Sequence, residues 1–358
     1  MEQIEVKFET ITPIWTGDAW GKNSEIRPSS IMGSLRFWFE VYCNIEDKEK
    51  IKKLKNEISK EWDEINKKMP KDKKIDIPKN LVDLIFGTTG WKSRIEIEKI
   101  EYLDDYCFGN KLNLPKKIIK DKNWFFAIPY FWGKFAITFK TTEDIKEKIL
   151  FPLLKFIEDY GFLGGKSNIG YGRVKILDLE MNAFNAFKNI SHIIKESNLS
   201  KNDNIFKILL EIFEIDKFYC GKEKEFESKI KNAPNKIIKI TFDDDFKKNN
   251  LKELIKELII KKSQMRNCLK HICERELKNC YENKKFKKDK NLECKNKNYK
   301  CGEIQKSIKR WTKIRHRIFG EMGEGTKIMP FIIKDGDRYK GGFISLIGID
   351  MIGVKNEL

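Results

Sequence analysis

Residues 161 to 173 read Gly161-Phe-Leu-Gly-Gly-Lys-Ser-Asn-Ile-Gly-Tyr-Gly-Arg173, with five glycines and two cations, and separate two segments of different period. Before them, Ile145, Ile149, Leu153, Phe156 and Ile157 recur at helical spacing; after them, Val174 and Ile176 alternate as in a strand. A helix must run into a glycine loop that feeds a strand. Glycines admit positive φ and close approach of another chain, and successive main-chain N–H groups can form an anion site, with Lys166 and Arg173 at its edges. Gly165-Lys166-Ser167 looks like the end of a nucleotide P-loop. The reading fails because Tyr160 stands where the leading glycine belongs and because a P-loop follows a strand and opens a helix. A glycine-rich connection with no ligand is the competing interpretation.

The chain has 358 residues, enough for two ordinary domains. Its formal charge of +18, 72 Lys and Arg against 54 Asp and Glu, favours a polyanionic partner, although lysine and asparagine are abundant throughout. No apolar run is long enough to span a bilayer, and Met-Glu-Gln-Ile-Glu-Val does not read as a signal peptide. The expectation is a cytoplasmic protein, with no membrane partner, whose eight cysteines are mostly reduced thiols.

Ile4, Val6 and Phe8 alternate with charged residues and predict an opening strand. A turn-rich segment with Trp15 and Trp20 follows, and packing in a core is the default reading of both rings. Ser29 and Ser30 stand as N-cap residues of an amphipathic helix traced by Ile31, Leu35, Trp38 and Tyr42, with Arg27 before it and Arg36 within it. Residues 45–79 read as a charged helical insertion, and Leu81 to Phe86 as a short helix ending at Gly87. Ile95 to Tyr102 and the aromatic stretch from Trp124 to Lys140 supply further strands. Without the insertion the order is βαββαβ, a ferredoxin-like split βαβ arrangement.

In the second half, Lys236 to Phe242, Ile328 to Ile333 and Phe343 to Met351 read as strands, and Asn204 to Phe213, Leu251 to Lys278 and Ile304 to Phe319 as helices. Leu84-Ile-Phe-Gly-Thr-Thr-Gly90 is echoed by Arg317-Ile-Phe-Gly-Glu-Met-Gly323. Each ends a helix ahead of a strand, as in two divergent copies of one unit.

Ile26-Arg-Pro-Ser-Ser-Ile-Met-Gly-Ser-Leu-Arg36, the two Ile-Phe-Gly passages and Gly164-Gly-Lys-Ser-Asn-Ile-Gly-Tyr-Gly172 together resemble the RAMP superfamily of CRISPR proteins, and within it the first subunit of the type III-B Cmr RNA-guided effector. The resemblance covers residues 1–180 well and 300–350 thinly. It implies an α+β protein of two ferredoxin-like, RRM-like domains with helical insertions, divided as 1–182 and 183–358. It implies a non-catalytic subunit in antiviral defence that binds guide RNA near its 3′ end. The implied partners are the guide RNA, its target RNA and other Cmr subunits, with no nucleotide or other cofactor. The RNA-binding residues would be Gly164, Gly165, Ser167 and Gly170 through the main chain, Lys166 and Arg173 through charge, Asn168 beside them, and Tyr171 as a stacking ring. Arg27, Ser29, Ser30 and Arg36 are carried over as a second patch, with Trp15, Arg310, Arg315 and Arg317 as additional candidates. An open sheet with nearby aromatics would suit unpaired bases.

Some relatives in the superfamily are metal-independent endoribonucleases that process CRISPR RNA, and this is the alternative function. The chain's three histidines, His192, His271 and His316, lie outside the glycine and arginine motifs. Cys280, Cys294 and Cys301 could contribute to a zinc site with a fourth ligand, but no C-x₂-C pair supports one and free thiols are the default.

Overall fold

The alternation that opens the chain forms β1 (Glu2–Thr10), the centre of a four-stranded antiparallel sheet. Strands β2 (Glu96–Tyr102), β5 (Lys134–Thr141) and β6 (Val174–Ile176) complete it in the order β2-β5-β1-β6. A short pair, β3 (Phe108–Gly109) and β4 (Tyr130–Phe131), lies outside it. Helix α1 (Pro28–Ile45) connects the first two strands of the sheet, and α4 (Glu143–Ile145), a π turn and α5 (Phe151–Tyr160) connect the last two. This is the expected split βαβ topology, so the class is α+β with antiparallel pairing throughout this sheet. The structure, a computed structural model, describes residues 1–18, 20–46, 48–118, 124–178, 194–199, 209, 223–231, 238–270, 293–294, 297–320 and 326–347. The chain divides into two units: Met1–Lys117, Phe125–Ile193 and Ile349–Leu358 form one, and Ile118–Trp124 with Ile194–Gly348 the other. The boundary expected at 182/183 lies outside the described residues.

Register decides what each face of the first sheet can do. Val6 pairs with Ile137, Phe8 with Phe135 and Ile176, and Tyr102 with Phe135, giving an apolar face. Trp38, Phe39, Leu153, Phe156 and Ile157 of α1 and α5 are buried in the same unit, each contributing about 1.5–3 kcal/mol relative to exposure. The opposite face carries Lys7, Ala136 and Glu101 in one row, Glu5, Thr138 and Lys99 in the next, and Gln3, Lys140 and Glu96 beyond. These rows of mixed charge contain no aromatic ring. The expectation that bases stack on the open sheet is therefore not met by this face.

The charged insertion forms α2 (Lys48–Lys68), followed by α3 (Leu81–Phe86). Trp62 of α2 meets Trp91 edge-on at 5.4 Å, and the Arg94 guanidinium lies over both rings at 4.6 and 5.2 Å. An aromatic–cation stack thus fastens the insertion to the segment entering β2.

In the second unit, α6 (Glu223–Lys231), α7 (Leu251–Lys270) and α8 (Cys301–Phe319) accompany a sheet ordered β11-β12-β8-β7. Its strands are β7 (Ile194–Leu199), β8 (Ile238–Lys248), β11 (Ile328–Asp335) and β12 (Arg338–Ser345), and β9 (Glu293–Cys294) pairs separately with β10 (Lys297–Lys300). β8, β12 and β11 repeat the arrangement of β1, β5 and β2, but the fourth position is filled by β7, which precedes β8 and runs parallel to it. The last strand begins at Arg338, not Phe343, because Asp335 to Arg338 form a tight hairpin around Gly336 at φ 58°. The helix expected to reach Lys278 is described to Lys270, and Asn204–Phe213 lies outside the described residues except for Leu209.

The Ile-Phe-Gly echo extends to individual hydrogen bonds. The N–H of Arg94 donates to Ile85 O at 2.8 Å, and that of Lys327 to Ile318 O at 2.8 Å. Ser93 Oγ donates to Ile85 O and Ile95 O, and Thr326 Oγ1 likewise to Ile318 O and Ile328 O. Gly87 and Gly320 both take positive φ, 83° and 75°. A shared device turns each helix into the strand that follows, which supports internal duplication more strongly than the short sequence match does.

A Cβ on Gly87 would lie 2.9 Å from both Ser93 N and Trp91 O. Gly87→Ala is expected to lower stability by about 2 kcal/mol in urea unfolding. Gly33→Ala, in the interior of α1 where a Cβ meets nothing within 4 Å, should raise it by about 0.5–1 kcal/mol.

Candidate nucleic-acid interface

The glycine loop leaves α5 at Gly161 and enters β6 at Val174. Its exit is fixed by Arg173. The Arg173 guanidinium, 1% exposed, donates to the carbonyls of Ile157, Glu158, Asp159 and Gly161 at 3.1, 2.7, 3.2 and 2.6 Å. A helix C-terminus leaves such carbonyls without intrahelical donors, and a cation there also complements the helix dipole. Burial presses the arginine's pKa down, opposed by Asp159 and Glu158. Arg173 is therefore a structural cap and cannot reach RNA in this conformation, which corrects its assignment as a contact. Tyr171 is corrected too: it is fully buried, lies against Phe126 and Tyr130, and donates its hydroxyl to Ala127 O. Burial raises its pKa.

Accounting for the loop's main-chain donors narrows the site further. Gly164 N donates to Ser34 Oγ at 2.8 Å, Gly165 N to Trp15 O at 2.7 Å, and Gly170 N to Ser167 O at 2.9 Å. The N–H groups of these three glycines are committed within the protein and are not the phosphate donors expected of them. Their value is steric: a Cβ on Gly164 would lie 2.7 Å from Trp15 O, and one on Gly165 3.2 Å from the Trp15 ring. Glycine lets the loop lie against the Trp15 segment, with which Gly165 forms an isolated antiparallel bridge. The N–H groups of Lys166 and Ser167 have no acceptor among the described residues. Lys166 takes left-handed φ 65° and is exposed, and its Nζ rests 4.7 Å over the Trp15 ring. Trp15 is half-buried, with Lys166 and Gly165 against its ring, so it serves as a platform for the lysine; Asn168 lies exposed beside them.

Thr16, the neighbour of Trp15, ties this loop to the start of α1. Its Oγ1 accepts the Arg27 N–H at 3.1 Å and donates to Glu25 O at 2.8 Å. The helix begins with Pro28 at its first position and Arg27 as N-cap, with no side-chain cap. Ser29 and Ser30 are thus inside the first turn, a correction to their reading as caps, because proline presets the helical φ at the entry. Their hydroxyls and the Ser29 N–H have no partner among the described residues. Arg27 is balanced by Asp18 and Glu25 at 3.6 and 3.5 Å. Arg36 pairs with Asp83 and donates to Gly87 O, tying α1 to the end of α3. Ser34 faces the glycine loop from two residues away, about 200° round the helix, so Arg36 is not brought to this site. Of the four cations expected here, Lys166 alone is exposed with no acidic partner among the described residues.

Arg310, Arg315 and Arg317 belong to α8 of the second unit. Arg310 is exposed, Arg315 lies 2.6 Å from His316 Nε2, and Arg317 pairs with Glu227 at 3.1 Å. Of the zinc candidates, Cys280 and the side chains of Cys294 and Cys301 lie outside the described residues. Among the described residues no group of three His, Cys, Asp or Glu is placed to hold a metal, and no helix is long and apolar enough to cross a membrane. Sequence reasoning missed Trp20, which the default assigned to a core and which stands 86% exposed.

The family model of the RAMP superfamily matches residues 7–175, just under half of the chain and the whole of the site above. The resemblance read from the arginine and glycine motifs holds over that span. The chain is also similar to a solved structure, that of Cmr1 from Pyrococcus furiosus in its apo form, with 16% identity over 96% of this chain and 88% of that one and a TM-score of 0.41. No curated protein matches the sequence.

Arg173→Met should lower stability by about 3 kcal/mol in urea unfolding, since four carbonyls lose their charged donor. Lys166→Gly should be close to neutral: relief of left-handed strain and the added entropy of the unfolded chain are each about 1 kcal/mol and oppose one another.

Proposed function

We propose that the chain is a guide-RNA-binding subunit of a Cmr-type CRISPR ribonucleoprotein in the cytoplasm, gripping the sugar–phosphate backbone without cutting it. The observation that carries this reading is a convergence. The Lys166–Ser167 turn, with two N–H groups uncommitted among the described residues, and the first turn of α1, with that of Ser29, are fastened to the adjacent residues Trp15 and Thr16. A helix start favours anions through its free N–H groups and dipole, Ser29 and Ser30 add hydroxyl donors, and Lys166 adds an unbalanced charge. These groups recognise phosphate oxygens and do not read base edges. The net charge of +18 supplies the long-range attraction.

The RAMP match over residues 7–175 supports assigning this site to RNA. The resemblance of the motifs to the first Cmr subunit supports guide RNA, held toward its 3′ region, with target RNA and the other Cmr subunits as further partners. Lys166 provides an exposed charge resting on the Trp15 ring.

Purified full-length protein should bind a single-stranded, repeat-derived guide RNA with an affinity that falls steeply between about 50 and about 300 mM salt. Lys166→Gly should weaken binding several-fold and reduce the salt slope by about one, with thermal stability nearly unchanged. Binding that ignores salt, or no binding at low salt, contradicts the proposal, and specific metal-independent cleavage of the RNA would favour the endoribonuclease reading.

A further inference from the structure

Trp20 is the most exposed indole described and sits in a loop of its own construction. Asp18 Oδ1 accepts the N–H groups of Trp20 and Lys22 at 2.9 and 2.8 Å, Gly21 N donates to Asp18 O at 3.0 Å, and Asp18 N donates to Lys22 O at 2.9 Å. Four hydrogen bonds link Asp18 with Trp20, Gly21 and Lys22, and Gly21 takes a positive φ of 77°. The backbone bearing the indole is therefore held in place. The second Asp18 oxygen faces Arg27 Nη2 at 3.6 Å, which links the loop to the N-cap residue of α1. A large aromatic ring is normally among the most buried side chains on average. Here hydrogen bonds to Asp18 hold its backbone while the ring stands in solvent beside the proposed phosphate grip.

We propose that Trp20 is a stacking platform for an unpaired base of the RNA whose backbone is held at the start of α1. This rests on the function proposed above and deepens it, specifying single-stranded RNA with a base turned toward the protein. The surroundings favour a nucleotide over a protein partner. A protein-docking patch is an apolar area with depleted charge, whereas Trp20 is flanked by Gly17, Asp18, Gly21, Lys22 and Ser24 and lies near a helix start and Arg27. An aromatic face beside cations and phosphate donors is the usual equipment for unpaired nucleotides, and every base offers it a π-face.

The test measures full-length protein binding to a fluorescein-labelled 20-nucleotide single-stranded RNA, to a blunt RNA duplex of the same length and to heparin, a polyanion without bases. Trp20→Ala should weaken single-strand binding about tenfold, leave heparin binding unchanged, and show the same ratio to wild type at low and high salt. Trp20→Phe should recover most of the loss. Equal single-strand affinity for wild type and Trp20→Ala overturns the stacking role while leaving the backbone grip standing, as does equal loss toward heparin. Unchanged RNA affinity with loss of a co-purifying subunit would make the indole a protein contact and overturn it as well. Absence of any RNA binding by wild type would overturn the underlying function itself.

Discussion

The Arg173 guanidinium closes the last turn of α5, and the glycine loop can exist in its observed form because of that closure. Helix carbonyls left without donors in a buried setting cost free energy comparable to lost hydrogen bonds. One side chain arriving from the entry to β6 serves those of Glu158 and Asp159 and the C-cap carbonyl of Gly161, and adds a second donor to Ile157 O, which already accepts the Gly161 N–H. The intervening residues are thereby pinned at both ends, and Gly172 N, donating to Pro13 O at 2.8 Å, carries the loop across to the Trp15 segment. A cation that reads as a ligand group in the sequence is an internal strut. Its burial leaves Lys166 as the loop's outward charge.

The same division of labour runs through α1. Arg36 holds the helix against α3, Ser34 holds it against the glycine loop, and Trp38 Nε1 donates to Phe162 O at 3.0 Å just before that loop. Ser34 and Trp38, four residues apart, share one face and Arg36 lies on the other side, so the helix is clamped from two sides while its first turn stays open. At that open turn Arg27 is outnumbered by Asp18 and Glu25, so the three together carry a net negative charge. On the function proposed above, phosphate would be held there by main-chain dipoles and hydroxyls, not by net charge. Lys166, propped on Trp15, restores a positive charge nearby.

Much of the architecture was legible from period alone. Alternation in Ile4, Val6 and Phe8, helical spacing from Ile31 to Tyr42, and the glycine after each Ile-Phe pair identify elements because they reflect which face is covered and where the backbone must turn left-handed. The match of the two Ile-Phe-Gly turns down to Ser93 and Thr326 was only partly visible, since hydroxyl partners cannot be deduced without knowing which carbonyls lie within reach. Several residues of the candidate site were misread in detail. Sequence composition does not distinguish an arginine that caps a helix, as Arg173 does, from one that faces solvent. Nor does it show that the N–H groups of Gly164, Gly165 and Gly170 are already committed. Trp20 was hidden for a related reason: an indole in a turn is apolar by composition, and only the Asp18 hydrogen bonds reveal that its loop stands away from the core. The parallel pairing of β7 with β8 carried no signal in the sequence pattern, because an added edge strand leaves the pattern of β8 unchanged.

The sheet of the first unit has a split βαβ topology, yet the rows of Lys and Glu on its open face lack stacking rings, whereas the N–H groups of Ser29, Lys166 and Ser167 have no acceptor among the described residues. The central claim is that RNA lies on the second surface and not the first. Amide hydrogen exchange read by mass spectrometry, with and without single-stranded guide RNA at saturating concentration, compares the two directly. The account predicts slowed exchange in peptides covering residues 27–33 and 163–170, with β1 and β5 unchanged. Protection concentrated in β1, β2 and β5, with none at the glycine loop or the start of α1, would contradict it.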